Sequence, residues 1–141
     1  MILYLDTSAL VKLYVSEPGS PEVRRLVEAA DAAATSWVAY AETRAAFSRA
    51  LREQVTSPED HIQRVGQFNQ DWESTLRVEL LPLIARNAGD LTEVYGLRGF
   101  DAIHLASALW LRDKCGVALA FVAYDRRLAE AAARAGLSII G

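Results

Sequence analysis

The sequence predicts an α/β domain, a parallel sheet covered by helices on both faces. Three observations carry that expectation. Short apolar runs alternate with longer segments of helical periodicity, the pattern of strand–helix–strand units. At 141 residues, with 52% hydrophobic and 23% charged residues, the chain is long enough to bury a core and too apolar to stay disordered. No internal repeat, low-complexity tract or linker-like stretch divides it, so residues 1–141 are expected to form one domain.

Ile2 to Leu5 is a short apolar run closed by Asp6-Thr7-Ser8, residue types that begin helices. Ala9, Leu10, Leu13 and Tyr14 then recur at helical spacing until Glu17-Pro18-Gly19 breaks the pattern. Ser20-Pro21-Glu22 opens a helix with a hydroxyl at the N-cap, proline at the first position and an acid in the first turn. Ala32 to Thr35 is a short strand, and Ser36 is placed to cap a long helix from Trp37 to about Gln54. Ser57-Pro58-Glu59-Asp60 starts the next helix in the manner of a capping box, and it runs to about Trp72. Val78 to Leu83 is expected to be a strand with its end at Pro82, followed by a helix from about Ile84 to Tyr95. After Gly96-Leu97-Arg98-Gly99 a helix runs from Phe100 to about Lys114, then a strand from Leu119 to Ala123. Asp125 begins the last helix, Gly136 stops it, and Ser138 to Ile140 is a final short strand.

The net charge of -3 lacks the basic footprint of a protein that coats duplex DNA. A polyanionic substrate would therefore need local arginines or a bound cation. A single cysteine, Cys115, rules out an intramolecular disulfide and points to a reducing, cytoplasmic setting. The N-terminus lacks the basic start of a signal peptide, and Asp6 and Lys12 interrupt its apolar run. No stretch reaches the ~18 consecutive apolar residues of a membrane span, so no membrane partner is expected.

Four acids carry the functional signal. In open parallel sheets the strand C-termini and the following helix N-termini share one edge, where ligands bind. Asp6 and Asp125 follow strands and should reach that edge, and Asp101 lies in the first turn of a helix that could do likewise. Each aspartate alone also fits a helix cap or a charge complementing the helix dipole. Glu42 does not, because it lies more than a turn inside a helix among Val38, Ala39, Ala45 and Ala46. A carboxylate there needs a cation or hydrogen-bond donors, unless it pairs with Arg49 or faces water. Gathered carboxylates raise one another's pKa unless a cation sits among them. An all-oxygen set without a Cys or His cluster suits a hard ion, Mg²⁺ or Mn²⁺, which activates water in phosphodiester hydrolysis.

The segments MILYLDTSALVKLYV, Ala41-Glu42-Thr43, GLRGFDAIHLASAL and FVAYDRRLAEAAARAGL, in this order and spacing, resemble PIN-domain ribonucleases, and most nearly the VapC toxins of toxin–antitoxin pairs. The resemblance covers nearly the whole chain. It implies a three-layer α/β/α sandwich with a central, mainly parallel sheet, and a Mg²⁺- or Mn²⁺-dependent endoribonuclease. It further implies a homodimer inhibited by a cognate VapB-like antitoxin. By motif position Asp6, Glu42 and Asp101 match the three acids of the family and Asp125 the fourth, more variable one. Thr7 and Ser8 match the hydroxyl residues after the first acid. Ala123 stands where the family often has Thr or Ser, which leaves Asp125 balanced between ligand and helix cap.

Arg98 and Arg126, beside Asp101 and Asp125, are candidate phosphate contacts that could equally pair with those acids. His104 shares a helix face with Asp101, a position open to a general acid, but is expected to be structural or half exposed; His61 is expected to be solvated, and Trp37, Trp72 and Trp110 to be core or interface. Three other classes compete: an aspartyl-phosphate phosphatase, a receiver-like signalling module, and a PIN-fold nuclease or RNA-binding module outside any toxin–antitoxin system. The first needs a second acid where Ser8 stands. The second needs an acidic pair near the N-terminus and a buried lysine near a later strand, and neither is evident.

Overall fold

The computed structural model describes residues 1–140. Five strands, β1 (Ile2–Leu5), β2 (Ala32–Ser36), β3 (Leu76–Val78), β4 (Leu119–Val122) and β5 (Ser138–Ile140), form one parallel sheet in the order β3-β2-β1-β4-β5. Seven helices connect and cover it among the described residues: α1 (Thr7–Val11), α2 (Ser20–Ala29), α3 (Val38–Arg52), α4 (Pro58–Ser74), α5 (Pro82–Tyr95), α6 (Gly99–Cys115) and α7 (Arg126–Arg134).

Side chains alternate along each strand, and the alternation builds two cores. Ile2, Tyr4 and Phe121 face one way and pack with Ile84, Leu105 and Leu128 from α5, α6 and α7. Leu3, Leu5 and Val122 face the other way and pack with Leu10, Val23, Phe47 and Phe68 from α1 to α4. All four residues of β1 and of β4 are buried, as expected for strands covered on both faces. The three-layer sandwich is as expected.

The third strand differs from its expected position. It is β3 at Leu76–Val78, paired with Ala34 to Ser36, and Pro82 opens α5 instead of ending a strand. Proline has no N–H to give a ladder but fits the first turn of a helix, where that donor would be idle. Leu80 and Leu83, which made the run look buried, are exposed. Trp72 is buried, whereas Trp37 is 45% exposed, with Trp72 against one edge and the Arg77 guanidinium over its ring. At the turn before α2, Gly19 has a φ of 94°, and a Cβ there would meet Tyr124 Cε1 at 3.0 Å. That closeness seats Tyr124 beside the cavity described next.

Candidate active site

β2 and β3 lie on one side of β1, β4 and β5 on the other, so the crossovers diverge between β1 and β4. A crevice opens there at the C-terminal ends of the strands. Leu5 pairs in register with Val122, which brings Asp6, the next residue after β1, to the same edge as Asp125. α3 supplies Glu42 and the first turn of α6 supplies Asp101. All four acids, with Thr7, Ser8, Arg98 and His104, line one cavity of about 920 Å³.

Asp6 is 3% exposed and caps α1: its Oδ1 accepts from the Ala9 N–H at 2.9 Å and from the Ser8 hydroxyl at 2.9 Å. Burial pushes its carboxyl above the usual aspartate range, and the charge of Asp101 adds to this, while the Ala9 and Ser8 hydrogen bonds offset part of it. Asp101 is raised as well, by burial and by the charges of Asp125 and Glu42, with Arg98 opposing. Arg98 Nε is 3.6 Å from Asp101 Oδ2 and Arg98 Nη2 is 3.9 Å from Asp125 Oδ2. Asp125 also caps α7, accepting from the Leu128 N–H at 3.0 Å, so the cap and the cavity position coexist in one side chain.

Glu42 behaves differently. Burial pushes its pKa up, but hydrogen bonds from His104 and Thr7 outweigh burial and hold it below the usual range. Thr7 Oγ1 donates to Glu42 Oε1 at 2.6 Å, and His104 Nε2 lies 3.2 Å from the same oxygen. Arg49 pairs with Glu53 instead, which removes the Glu42–Arg49 alternative.

The candidate residues thus come together with one exception. Arg126 has a 91% exposed side chain, pairs with Glu130 at 3.7 Å and lies outside the main cavity. It lines an adjoining pocket with Arg98 and Arg127. Two further polar residues line the cavity with the acids. His104 is 1% exposed and touches the site through Nε2, and Glu17 reaches the cavity from the turn before α2, paired with Lys12 at 3.0 Å. The shared face of Asp101 and His104 was a usable signal for the first, and nothing marked the second.

The donors are carboxylate and hydroxyl oxygens, and burial raises the pKa of two of the acids, Asp6 and Asp101. That chemistry fits a hard divalent ion. The acids ring the cavity without converging: among the described residues no three His, Cys, Asp or Glu side chains are grouped closely enough to hold a metal as they stand. Uncompensated like charges repel, and internal donors already engage Asp6, Glu42 and Asp125.

Residues 3–134 match the PIN domain. The chain belongs to the PIN domain family. Among curated PIN relatives, ribonuclease VapC45 of Mycobacterium tuberculosis is 37% identical over 138 residues, spanning 98% of this chain and 94% of the relative. A toxin–antitoxin complex from Klebsiella pneumoniae contains a chain with the same fold, at a TM-score of 0.70 and 18% identity, covering 99% of this chain and 96% of that one. Mycobacterium tuberculosis VapC20, a sarcin–ricin loop cleaving toxin, shares it at a TM-score of 0.67 and 16% identity, covering 96% of this PIN domain chain and 95% of that one.

Proposed function

We propose that this PIN domain chain is a Mg²⁺- or Mn²⁺-dependent endoribonuclease that hydrolyses RNA phosphodiester bonds as the toxin of a toxin–antitoxin pair. The observation that carries the reading is the meeting of Asp6, Glu42, Asp101 and Asp125 in one cavity at the switch point of the sheet. Its relative's name, ribonuclease VapC45, supports RNA as the substrate. The fold shared with a chain of a toxin–antitoxin complex supports a VapB-like antitoxin as partner. The VapC resemblance implies a homodimer, and the single Cys115 favours a cytoplasmic setting.

In this mechanism Asp6 and Asp101 would hold the ion, Glu42 would hold it or orient the attacking water, and Asp125 would anchor a second ion or its water. When bound, the ion lowers the pKa of water and neutralises charge developing on the phosphate. Ser8 keeps the Asp6 carboxylate in place. Arg98, already between Asp101 and Asp125, is positioned to exchange those contacts for a phosphate oxygen.

The test is cleavage of structured RNA by the purified chain with Mn²⁺, with EDTA, and by Asp6→Asn and Asp101→Asn. Activity is expected only in the native chain with metal. Undiminished cleavage in EDTA, or by either variant, refutes the reading.

A further inference from the structure

Behind Glu42 lies a polar chain that runs into the core. Tyr4 is fully buried on β1, and its hydroxyl is 3.0 Å from His104 Nδ1. His104 Nε2 is 3.0 Å from Thr7 Oγ1, which donates to Glu42 Oε1 at 2.6 Å. We propose that Tyr4 and His104 are positioning residues, a buried hydrogen-bond chain that acts through Thr7 to hold the Glu42 carboxylate in one orientation. The proposal rests on the reading of Glu42 as a residue that holds the ion or the attacking water.

The hydrogens give the chain a direction. Thr7 has one hydroxyl hydrogen, and it points at Glu42. The Thr7 oxygen therefore accepts from Nε2–H, a hydrogen shared with Glu42 Oε1 at 3.2 Å, which leaves Nδ1 to accept from the Tyr4 hydroxyl. Every donor then points from the core toward Glu42, and successive bonds polarise one another. Burial raises the Tyr4 pKa well above its ordinary 10.0, so the phenol keeps the proton it donates. Both bonds land on Oε1, and Oε2 has no protein partner among the described residues. One oxygen is thus anchored while the other stays available.

A purely structural imidazole would not need this arrangement. His104 sits among buried apolar residues of α6, namely Ala102, Leu105 and Ala108, where a leucine would pack without a desolvated polar group. Tyr4 meets the ring edge-on at 5.9 Å, which restrains its plane as well as its hydrogen bonds. Partners that orient ligands in this way typically contribute 10–100-fold to metal affinity (roughly, from other sites).

The experiment measures Mn²⁺ affinity by titration calorimetry, melting temperature in EDTA, and kcat and KM on an RNA oligonucleotide. The variants are Tyr4→Phe, His104→Leu, His104→Gln and Glu42→Gln. Tyr4→Phe and His104→Leu are expected to weaken Mn²⁺ binding by about tenfold and to lower kcat. KM should stay near its native value, and the melting temperature should fall by a few degrees at most, the cost of about one buried polar group left unpaired. His104→Gln, which keeps an N–H donor, should recover part of the loss. Native Mn²⁺ affinity in both Tyr4→Phe and His104→Leu overturns the positioning role, as does a loss that merely tracks melting temperature. Should His104→Leu fail to fold, Tyr4→Phe decides alone. If Glu42→Gln also binds Mn²⁺ normally, the assignment of Glu42 itself has failed; if it binds weakly while the other variants bind normally, only the positioning role has.

Discussion

Replacing Asp6 by asparagine removes one negative charge from the most buried of the four acids while keeping the shape of the side chain. Asparagine is as good an N-cap as aspartate, so its Oδ1 can still accept from the Ala9 N–H and hold the start of α1. What disappears is a 3% exposed charge that feels Asp101, on a carboxyl held above its ordinary value of 3.8 by burial. The folded protein therefore binds that proton more tightly than the unfolded chain does. Metal-free stability falls as pH rises from the ordinary aspartate value through the raised one, and each unit of elevation costs about 1.4 kcal/mol above it. Asp6→Asn escapes that cost. At neutral pH in EDTA it is expected to be more stable than the native chain by about 0.5–2 kcal/mol, the usual gain from relaxing a destabilised active site. For a chain of this size that is a rise in melting temperature of roughly 2–8 °C. Differential scanning calorimetry in EDTA across pH 3 to 8 reads it: the advantage of the variant should grow with pH from the ordinary aspartate value up to the raised one and then level off. Saturating Mn²⁺ should reverse the order, since the native chain gains binding energy that the variant has lost. A variant less stable than the native chain in EDTA, or an advantage that shrinks with rising pH, refutes the reasoning.

Asp125 allows its two roles to be separated. Asp125→Ala loses the cap on α7 and should cost about 1 kcal/mol in chemical denaturation, whereas Asp125→Asn should stay near native stability; equal loss of RNA cleavage in both assigns the charge to the reaction. Phe68→Ala empties a site in the core between α3 and α4 and should cost about 3–5 kcal/mol by urea titration, with cleavage by the remaining folded protein unchanged. Arg98→Ala removes the cation between Asp101 and Asp125, so its metal-free melting temperature should fall and Mn²⁺ should restore more of it than in the native chain. Arg126→Ala, exposed and paired with Glu130, should change stability by no more than about 0.5 kcal/mol and leave the response to Mn²⁺ intact.

Local periodicity made most of the fold legible. The apolar runs of β1 and β4 could only be strands buried on both faces, and the capping residues at Ser57 and Asp125 marked where α4 and α7 begin. β3 resisted because an edge strand of three residues, paired along one side only, carries little apolar signal of its own. Its neighbours Leu80 and Leu83 carry a stronger one while lying in solvent. Pro82 punctuates the chain in either reading, and only the tertiary pairing of Leu76 to Val78 with β2 decides which side of it is strand.

The site was legible where chemistry follows from topology. Strand ends bring Asp6 and Asp125 to one edge whatever packs around them, and Glu42 stood out because no helix terminus is near enough to explain it. For Arg126, which pairs with Glu130, sequence adjacency to Asp125 does not mean proximity to the cavity. Successive residues on a helix point about 100° apart, from 3.6 residues per turn. The residue after the Asp125 cap therefore turns away from the cavity, while Arg98, in extended backbone before α6, folds back onto Asp101. His104 was hidden for a different reason. Its face on α6 could be read from its spacing to Asp101, but what that face meets could not. The phenol of Tyr4, on β1, and the hydroxyl of Thr7, just after it, come from about a hundred residues earlier and reach His104 only because β1 occupies the middle of the sheet. Helical spacing identifies which side chains share a face, and the partner across that face is a property of the strand order. The same central strand that carries Asp6 to the crevice therefore also carries Tyr4 to His104 and leads into Thr7, the donor to Glu42.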